Sequence, residues 1–187
     1  MRLQLFPALR MLLVMTVVCG AAYTGTVTVL AQGIFEWRAD GSLIEDDGEP
    51  VGSRLLGQPF AGRGYFHSRP SAVDYDPRLS GATNYGPNHP ELLEKIAKRA
   101  ESYRQANGLG PGTQVPVDAV TASASGLDPD ISVANARLQA PRVAAERAIS
   151  LDRVLAIIEA QRTSLPVGYR SDPSINVLAL NLALDDM

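Results

Sequence analysis

Apolar residues form one long uninterrupted run near the amino terminus and several shorter periodic segments after it. The run MLLVMTVVCGAAYTGTVTVLA occupies residues 11–31 and contains no charged side chain. A helix of these 21 residues would span about 30 Å, which is the thickness of the hydrocarbon core of a bilayer. We therefore predict a transmembrane anchor at residues 11–31, preceded by a short amino-terminal segment, residues 1–10.

Beyond the anchor, the pattern predicts one α+β domain at residues 36–187. Glycine, proline and aromatic residues are frequent in 38–88, which favours short strands, turns and long loops. An apolar stripe at helical spacing then predicts a helix that Asn88 caps and Gly108 ends.

A second helix is predicted to begin near Ser132. Ala134, Leu138 and Val143 would face inward, and Pro141 should kink or end the helix.

The last third of the chain predicts one more helix and a strand. Ser150 should cap a helix that runs from Leu151 to about Arg162. Residues 174–186 alternate with apolar side chains on both faces, which predicts a strand inside a sheet.

The charges that flank the anchor predict its orientation. Arg2 and Arg10 are the only charged residues before Glu36, and positive residues stay on the cytoplasmic side. The anchor would then be single-pass in the inner membrane, with residues 1–10 cytoplasmic and the α+β domain extracytoplasmic. A cleaved signal peptide is the alternative, although the apolar run is long for one and no Ala-x-Ala site ends it.

One face of the anchor consists of small residues. They are Gly20, Ala21, Thr24, Gly25 and Thr28. Small residues let membrane helices approach closely, so this face is a candidate packing surface for another membrane protein. The alternative is that these residues only fill an anchor in the lipid bilayer.

Composition excludes several classes of protein. From Glu36 onwards the chain has 15 basic and 20 acidic residues, and it lacks the basic patch of a nucleic-acid-binding protein. Its single cysteine, Cys19, excludes an intrachain disulfide and a multi-cysteine zinc site. His67 and His89 are 22 positions apart and form no metal-binding pair, so we predict no metal site.

A run of hydroxyl residues at 121–126 raises the hypothesis of a catalytic loop. No phosphate-binding loop, G-x-S-x-G elbow or S-x-x-K motif accompanies it. We therefore predict no catalytic residue, and the alternative function is a membrane-anchored exported hydrolase that uses Ser123 or Ser125 with His67. A third hypothesis is a module that itself binds ATP.

Two stretches are candidates for a partner interface. GYFHSRPSA, residues 64–72, combines Tyr65, Phe66 and Arg69, residue types that are enriched at protein interfaces. The alternative is that the aromatic residues fill the core and Arg69 pairs with a carboxylate. In the second stretch Ser123, Ser125 and Asp128 are the candidates, while Asp128 could also cap a helix or bind a cation with Asp130.

Several stretches taken together resemble the C subunit of the Kdp high-affinity potassium-transporting ATPase, the KdpC family. They are GSLI (41–44), LLGQPF (55–60), GYFHSRPSA (64–72), NHPEL (88–92), VTASASGLDPDIS (120–132), QAPRVA (139–144) and INVLALNLAL (175–184). The resemblance covers nearly the whole chain. One departure is Val133, where members of the family often have proline.

The resemblance implies an accessory subunit without a catalytic motif. Its partners would be a channel-like potassium-binding subunit, a P-type ATPase subunit and a small single-helix subunit. In the family the C subunit supports assembly and activity, and it is proposed to act as a catalytic chaperone that raises the ATP affinity of the ATPase subunit. ATP and potassium would be handled by the complex, and we predict no cofactor bound directly to this chain.

Overall fold

The computed structural model describes residues 2–46, 48–163 and 172–187, and the backbone alone at positions 2 and 3. The chain divides into two compact units, residues 1–53 and 54–187. The first unit holds a long helix and a two-stranded hairpin, and the second holds five helices and a three-stranded sheet among its described residues.

The first unit begins with a helical segment from Arg2 to Ala39 that is kinked at Phe35, where φ is −133° and ψ is 40°. It comprises α1 (Arg2–Met15), a π-helical segment (Thr16–Tyr23) and α2 (Thr24–Ala39). Residues Gln4–Ala39 are long and apolar enough to cross a membrane. The helix therefore extends beyond the predicted anchor at both ends, and the membrane limits at residues 11 and 31 stay a prediction.

A short hairpin follows the long helix. Strands β1 (Leu43–Asp46) and β2 (Glu49–Ser53) pair antiparallel, with a bulge between Ile44 and Glu45. The indole of Trp37 donates a hydrogen bond of 2.8 Å to the carbonyl of Leu43, which ties the hairpin to the end of the helix. The short strands predicted after the anchor are confirmed.

The second unit is built on a small antiparallel sheet of order β3-β5-β4. Its strands are β3 (Asp130–Ser132), β4 (Arg162–Thr163) and β5 (Ser174–Asn176). Its helices are α3 (Pro90–Ala106), α4 (Val117–Val120), α5 (Val133–Glu146), α6 (Leu151–Ala160) and α7 (Val177–Asp185). The buried apolar cluster joins α5, α6 and α7 to the sheet, and its members include Phe66, Ile131, Ala140, Val143, Val154, Ile158, Ile175, Leu180 and Leu184.

The caps predicted for α5 and α6 are confirmed. The Ser132 hydroxyl accepts a hydrogen bond from the amide of Asn135, and Ser150 does the same for Arg153. Of the two predicted effects of Pro141, an end of the helix is wrong, because α5 continues to Glu146, and a kink stays a prediction. Buried residues on both sides of the proline pack into the core, and this packing outweighs the missing hydrogen bond.

Some predicted positions on α5 and α3 differ in the structure. Ala134 is exposed and Leu138 is only half-buried, whereas Val143 is fully buried. The cap of α3 is His89 rather than Asn88, and no described residue of α3 is buried. The end of this helix at Gly108 is confirmed, since that glycine has a φ of +64° and its amide bonds back to the helix.

The predicted strand over residues 174–186 is wrong beyond Asn176. Only Ser174–Asn176 is extended, and the side chain of Asn176 then caps α7 by accepting a hydrogen bond from Ala179. Alternation with apolar residues on both faces also describes a helix that is buried on most sides. Leucine and alanine favour that helix.

Candidate functional site

Residues 63–67 begin in a turn, closed by the bond from the Tyr65 amide to the Gly62 carbonyl, and helix side chains hold the segment in place. The Asn181 side chain accepts a hydrogen bond from the Phe66 amide at 2.8 Å and donates one to the Phe66 carbonyl at 3.0 Å. Gln139 does the same for His67, at 2.8 and 3.1 Å. Both backbone groups of two successive residues are thus satisfied by side-chain amides, as the neighbouring strand of a sheet would satisfy them.

Two arginines complete the hold on this segment. Arg142 donates to the carbonyls of Arg63 and Tyr65, and Arg147 donates to the carbonyl of Gly64 at 2.6 Å. The Arg147 guanidinium also lies 4.7 Å from the centre of the Tyr65 ring. Side chains of α5, of Arg147 directly after it and of α7 therefore fix the position of the segment.

Phe66 is a correction to the candidate interface. Its side chain is completely buried in the apolar cluster, so it cannot form part of a partner surface in this conformation. Tyr65 is half-buried and packs against the ring of Phe60, with the ring centres 5.8 Å apart. The interpretation in which aromatic residues fill the core holds for Phe66.

Arg69 and Asp128 form a partly buried ion pair. The Arg69 Nη1 and Asp128 Oδ2 atoms are 2.6 Å apart, and the side chains keep 24% and 31% exposure. The other carboxylate oxygen of Asp128 accepts a hydrogen bond from the amide of Asp130. A helix cap at Asp128 is thus wrong, because residues 130–132 form a strand and Ser132 is the cap.

The hydroxyl run at 121–126 forms a turn whose side chains bind the local backbone. Ser125 Oγ accepts a hydrogen bond from the Leu127 amide at 3.1 Å, and Ser123 is buried with its Oγ 3.5 Å from the Asp128 amide. At Gly126, φ is +73° and a Cβ would lie 2.5 Å from Val73 Cγ2, so only glycine fits.

Four of the six candidate interface residues line one shallow concavity of about 750 Å³. They are Arg69, Ser123, Ser125 and Asp128, and the apolar residues around them include Leu55, Leu56, Leu127 and Pro129. Tyr65 and Phe66 are not among the residues that line it.

Of the residues of the hydrolase alternative, Ser123 and Ser125 line this concavity and His67 does not. The His67 Nε2 atom lies 3.1 Å from the carbonyl of Gly62, and His89 stacks on Tyr85. Within the described part of the chain, neither histidine hydrogen-bonds to a serine of the 121–126 run. Burial, followed by the charge of Arg142, lowers the pKa of His67 below its ordinary value.

Sequence reasoning missed a polar network beneath α3. The Tyr103 hydroxyl donates to Asn135 Oδ1 at 2.8 Å, Gln139 donates to the same oxygen at 2.9 Å, and Arg142 donates to Asn107 and Gln139. Burial raises the pKa of Tyr103, which keeps its hydroxyl protonated. The spacing of Asn135, Gln139 and Arg142 on one stripe of α5 was the available signal.

The small residues of the anchor are all exposed on the long helix. Gly20 and Ala21 lie in the π-helical segment, where the wider turn shifts them relative to the positions of a regular α-helix. Thr24, Gly25 and Thr28 lie in α2, and a Cβ on Gly25 would contact nothing within 4 Å. The part of the chain that the structure describes contains no group of three metal-binding side chains.

Comparison with known sequences decides the family. The sequence model of the family described as "KdpC: K+-transporting ATPase, c chain" matches residues 5–186. The chain belongs to this family.

Curated relatives match over almost the same length. The "Potassium-transporting ATPase KdpC subunit" of Mycobacterium bovis (strain BCG / Pasteur 1173P2) is 49% identical over 187 residues, which is 99% of both chains. The subunit of that name from Geobacter sulfurreducens is 45% identical over 98% of both chains. That from Caulobacter vibrioides is 49% identical over 97% of this chain and 92% of its own.

Family membership places the chain in potassium transport, as a subunit of an ATPase complex. The resemblance noted on short stretches is therefore confirmed, and those stretches have structural roles. Gln139 and Arg142 of QAPRVA hold residues 63–67, and Asn181 of INVLALNLAL does the same from α7.

Proposed function

We propose that the chain is a non-catalytic accessory subunit that supports assembly and activity of a high-affinity potassium-uptake ATPase. The observation that carries the proposal is the family match across residues 5–186. Its partners are a channel-like potassium-binding subunit, a P-type ATPase subunit and a small single-helix subunit.

The subunit is anchored once in the inner membrane. The helix over Gln4–Ala39 supports this placement, and Arg2 and Arg10 favour a cytoplasmic amino terminus. Residues 54–187 are then extracytoplasmic, on the side away from cytoplasmic ATP. A reporter fused after Met187 tests the orientation, since a signal from the cytoplasmic side would overturn it.

The subunit acts on ATP hydrolysis indirectly. An extracytoplasmic domain that binds one conformation of the channel-like subunit more tightly shifts the conformational equilibrium of the complex. This is a route by which the chain raises the ATP affinity of the ATPase subunit, as the catalytic-chaperone role requires. ATP and potassium are bound by the partners in this mechanism.

The concavity around the Arg69–Asp128 pair is the candidate partner surface. Arg69, Ser125 and Asp128 keep partial exposure, while buried Ser123 supports the turn from beneath. Arginine is enriched at protein interfaces, and apolar residues form much of the remaining lining of this concavity.

Co-purification of the co-expressed complex tests the proposal. The tagged chain should recover the potassium-transport subunits from detergent extracts, and Ser125→Arg should reduce that recovery by placing a large side chain in the concavity. The control is Ala145→Arg, at an exposed position of α5 that does not line the concavity, and it should leave recovery unchanged. Recovery of the chain alone would contradict the proposal.

The effect on ATP affinity is measured separately. Complexes prepared without this chain should hydrolyse ATP with a higher KM for ATP than complete complexes. An unchanged KM would contradict the chaperone role while leaving the assembly role intact.

A further inference from the structure

A cavity of about 410 Å³ lies between α3 and the segment after residue 66. One face of α3 forms its wall, through residues at helical spacing, Lys95, Lys98, Arg99, Ser102, Tyr103 and Ala106. The opposite side includes His67 and Pro70, and the base includes Asn135 and Gln139, which are each 1% exposed. The size falls in the range of small-molecule sites.

The charges around this cavity are positive in a chain that is otherwise acidic. Lys95 and Lys98 are the only two lysines of the sequence, and both line it together with Arg99. Glu91 neutralises Lys95 at 2.7 Å, whereas Lys98 and Arg99 form no ion pair with any described residue. Two uncompensated cations therefore border the cavity.

A third positive charge lies behind the base. Arg142 is 6% exposed, and among the described residues its guanidinium bonds only to neutral oxygens, including those of Asn107 and Gln139, which line the cavity. A buried charge without a neutralising partner is unfavourable, and a nearby anion reduces that cost.

Besides Glu91, the acidic residue Asp118 contacts a residue that lines the cavity without lining it itself. The Asp118 carboxylate accepts hydrogen bonds from the Ser132 amide and hydroxyl and from Asn135. Three hydrogen-bond donors of the protein thus already bind this carboxylate.

Much of the remaining lining is apolar. Pro70, Ala106 and Ala119 contribute, as does the ring of Tyr103. Arg99 uses Nη1 to bond the carbonyl of Val120 at 3.1 Å, and its other nitrogens have no hydrogen-bond partner in the described ranges. A guanidinium with free nitrogens is suited to the planar geometry of a carboxylate.

We propose that this cavity binds a small organic carboxylate with an apolar body. The carboxylate lies between Lys98 and Arg99, and the apolar body contacts Pro70, Ala106 and Ala119. The site is separate from the concavity around Arg69 and Asp128, and it adds a ligand to a subunit whose proposed role is assembly.

Ligand-observed fluorine NMR with 4-fluorobenzoate tests the site. The probe is titrated with the full-length chain in detergent, and micelles without protein give the background. Neutral 4-fluorobenzamide has the same apolar body, and inorganic phosphate as a competitor has charge alone. We expect benzoate to bind, the benzamide to bind at least about tenfold more weakly because its charge is missing, and phosphate not to displace benzoate.

Matched variants locate the binding. Lys98→Gln removes a charge that makes no ion pair in the described structure, and it should weaken benzoate binding about fivefold. Arg137→Gln removes the same charge from exposed α5, away from the cavity, and should leave affinity within about twofold. Circular dichroism checks that both variants are folded.

Each other outcome overturns the proposal. Equal binding of benzoate and benzamide would show that charge does not contribute. Displacement by phosphate would show a general anion site, and equal weakening by both variants would show attraction by net charge instead of a specific site. Absence of benzoate binding by the folded wild-type chain would remove the site altogether.

Discussion

At the scale of single residues, buried amides determine the path of residues 63–67. Asn181 and Gln139 each satisfy the amide and the carbonyl of one residue, Phe66 and His67 respectively. A buried backbone group without a partner costs about 1–3 kcal/mol, so each amide prevents two such losses. Polar side chains in the core therefore contribute to stability through the backbone that they bind.

Replacement of Asn181 by leucine tests this contribution. The variant keeps the branched shape of the side chain but leaves both backbone groups of Phe66 without a partner, and the free energy of unfolding should fall by about 3 kcal/mol. Urea unfolding of the full chain in detergent measures the change. Asn88→Leu, at an exposed position with no side-chain hydrogen bond among the described residues, should change it by less than about 0.5 kcal/mol. A fall no greater than that in Asn181→Leu would contradict the account.

His67 should make stability depend on pH. Burial lowers its pKa below 6.5, so the unfolded chain takes up a proton before the folded chain does as the pH falls. The contribution of neutral His67 to the free energy of unfolding is complete above pH 6.5. It decreases as the pH falls from there to the pKa of His67 in the folded state. His67→Gln should therefore reduce the slope of Tm against pH between about pH 7 and 5.

The matched control for His67 is the other histidine. His89→Gln removes an exposed ring that stacks on Tyr85, and the slope of wild-type protein should persist in it. An unchanged slope in His67→Gln would show that other groups produce the pH dependence.

At the scale of elements, local signals could be read from the sequence and long-range ones could not. Ser132, Ser150 and Gly108 act within a few residues of their own positions, so the ends of α5, α6 and α3 followed from the sequence. Residues 177–185 form the helix α7 instead of a strand because the protein buries them on several sides. Alternation of apolar residues in the sequence does not distinguish these two structures.

In the candidate site, too, contacts between residues far apart in the sequence could not be predicted. Arg69 and Asp128 are 59 positions apart, and pairing of Arg69 with an unspecified carboxylate was all that the sequence suggested. The cavity beside α3 requires that one face of this helix be set against Asn135 and Gln139. That arrangement follows from packing of separate elements, so no spacing in the sequence indicates it.

The turn at 123–127 should tolerate no side chain at Gly126. Alanine there adopts an unfavourable positive φ and places its Cβ 2.5 Å from Val73 Cγ2 and 3.2 Å from the carbonyl oxygen of Gly81. We expect Gly126→Ala to lower the free energy of unfolding by at least about 2 kcal/mol. Gly86→Ala is the control, because a Cβ there meets nothing within 4 Å and φ is not positive. Equal stability of the two variants in urea unfolding would contradict the assignment.

At the scale of the whole molecule, the long helix and the α+β unit differ in whether their apolar residues are exposed or buried. The helix exposes its apolar residues along its length, while the second unit has a buried core of its own. The α+β fold class is confirmed, and the small-residue face of the helix stays a prediction about partners.

Gly25→Leu tests that face. A leucine blocks close approach of another helix, so the yield of co-purified partner subunits should fall several-fold. Gly33→Leu makes the same substitution in α2, at a position about a quarter turn around the helix axis from Gly25. A Cβ there also meets nothing within 4 Å. Similar yields from the two variants would show that the glycine face does not pack against a partner.

Residues 63–67 can also be regarded as a peptide ligand that is covalently tethered to its own receptor. Its binding groups are the side chains of α5 and α7, and its tether on the carboxyl side includes the irregular residues 68–89. A tether sets an effective concentration, which falls only slowly as the tether lengthens. Insertions at exposed positions such as 83–84 therefore alter the local concentration of the segment only slightly. Loss of the side-chain amide of Asn181 or Gln139, in contrast, removes two hydrogen bonds to the segment.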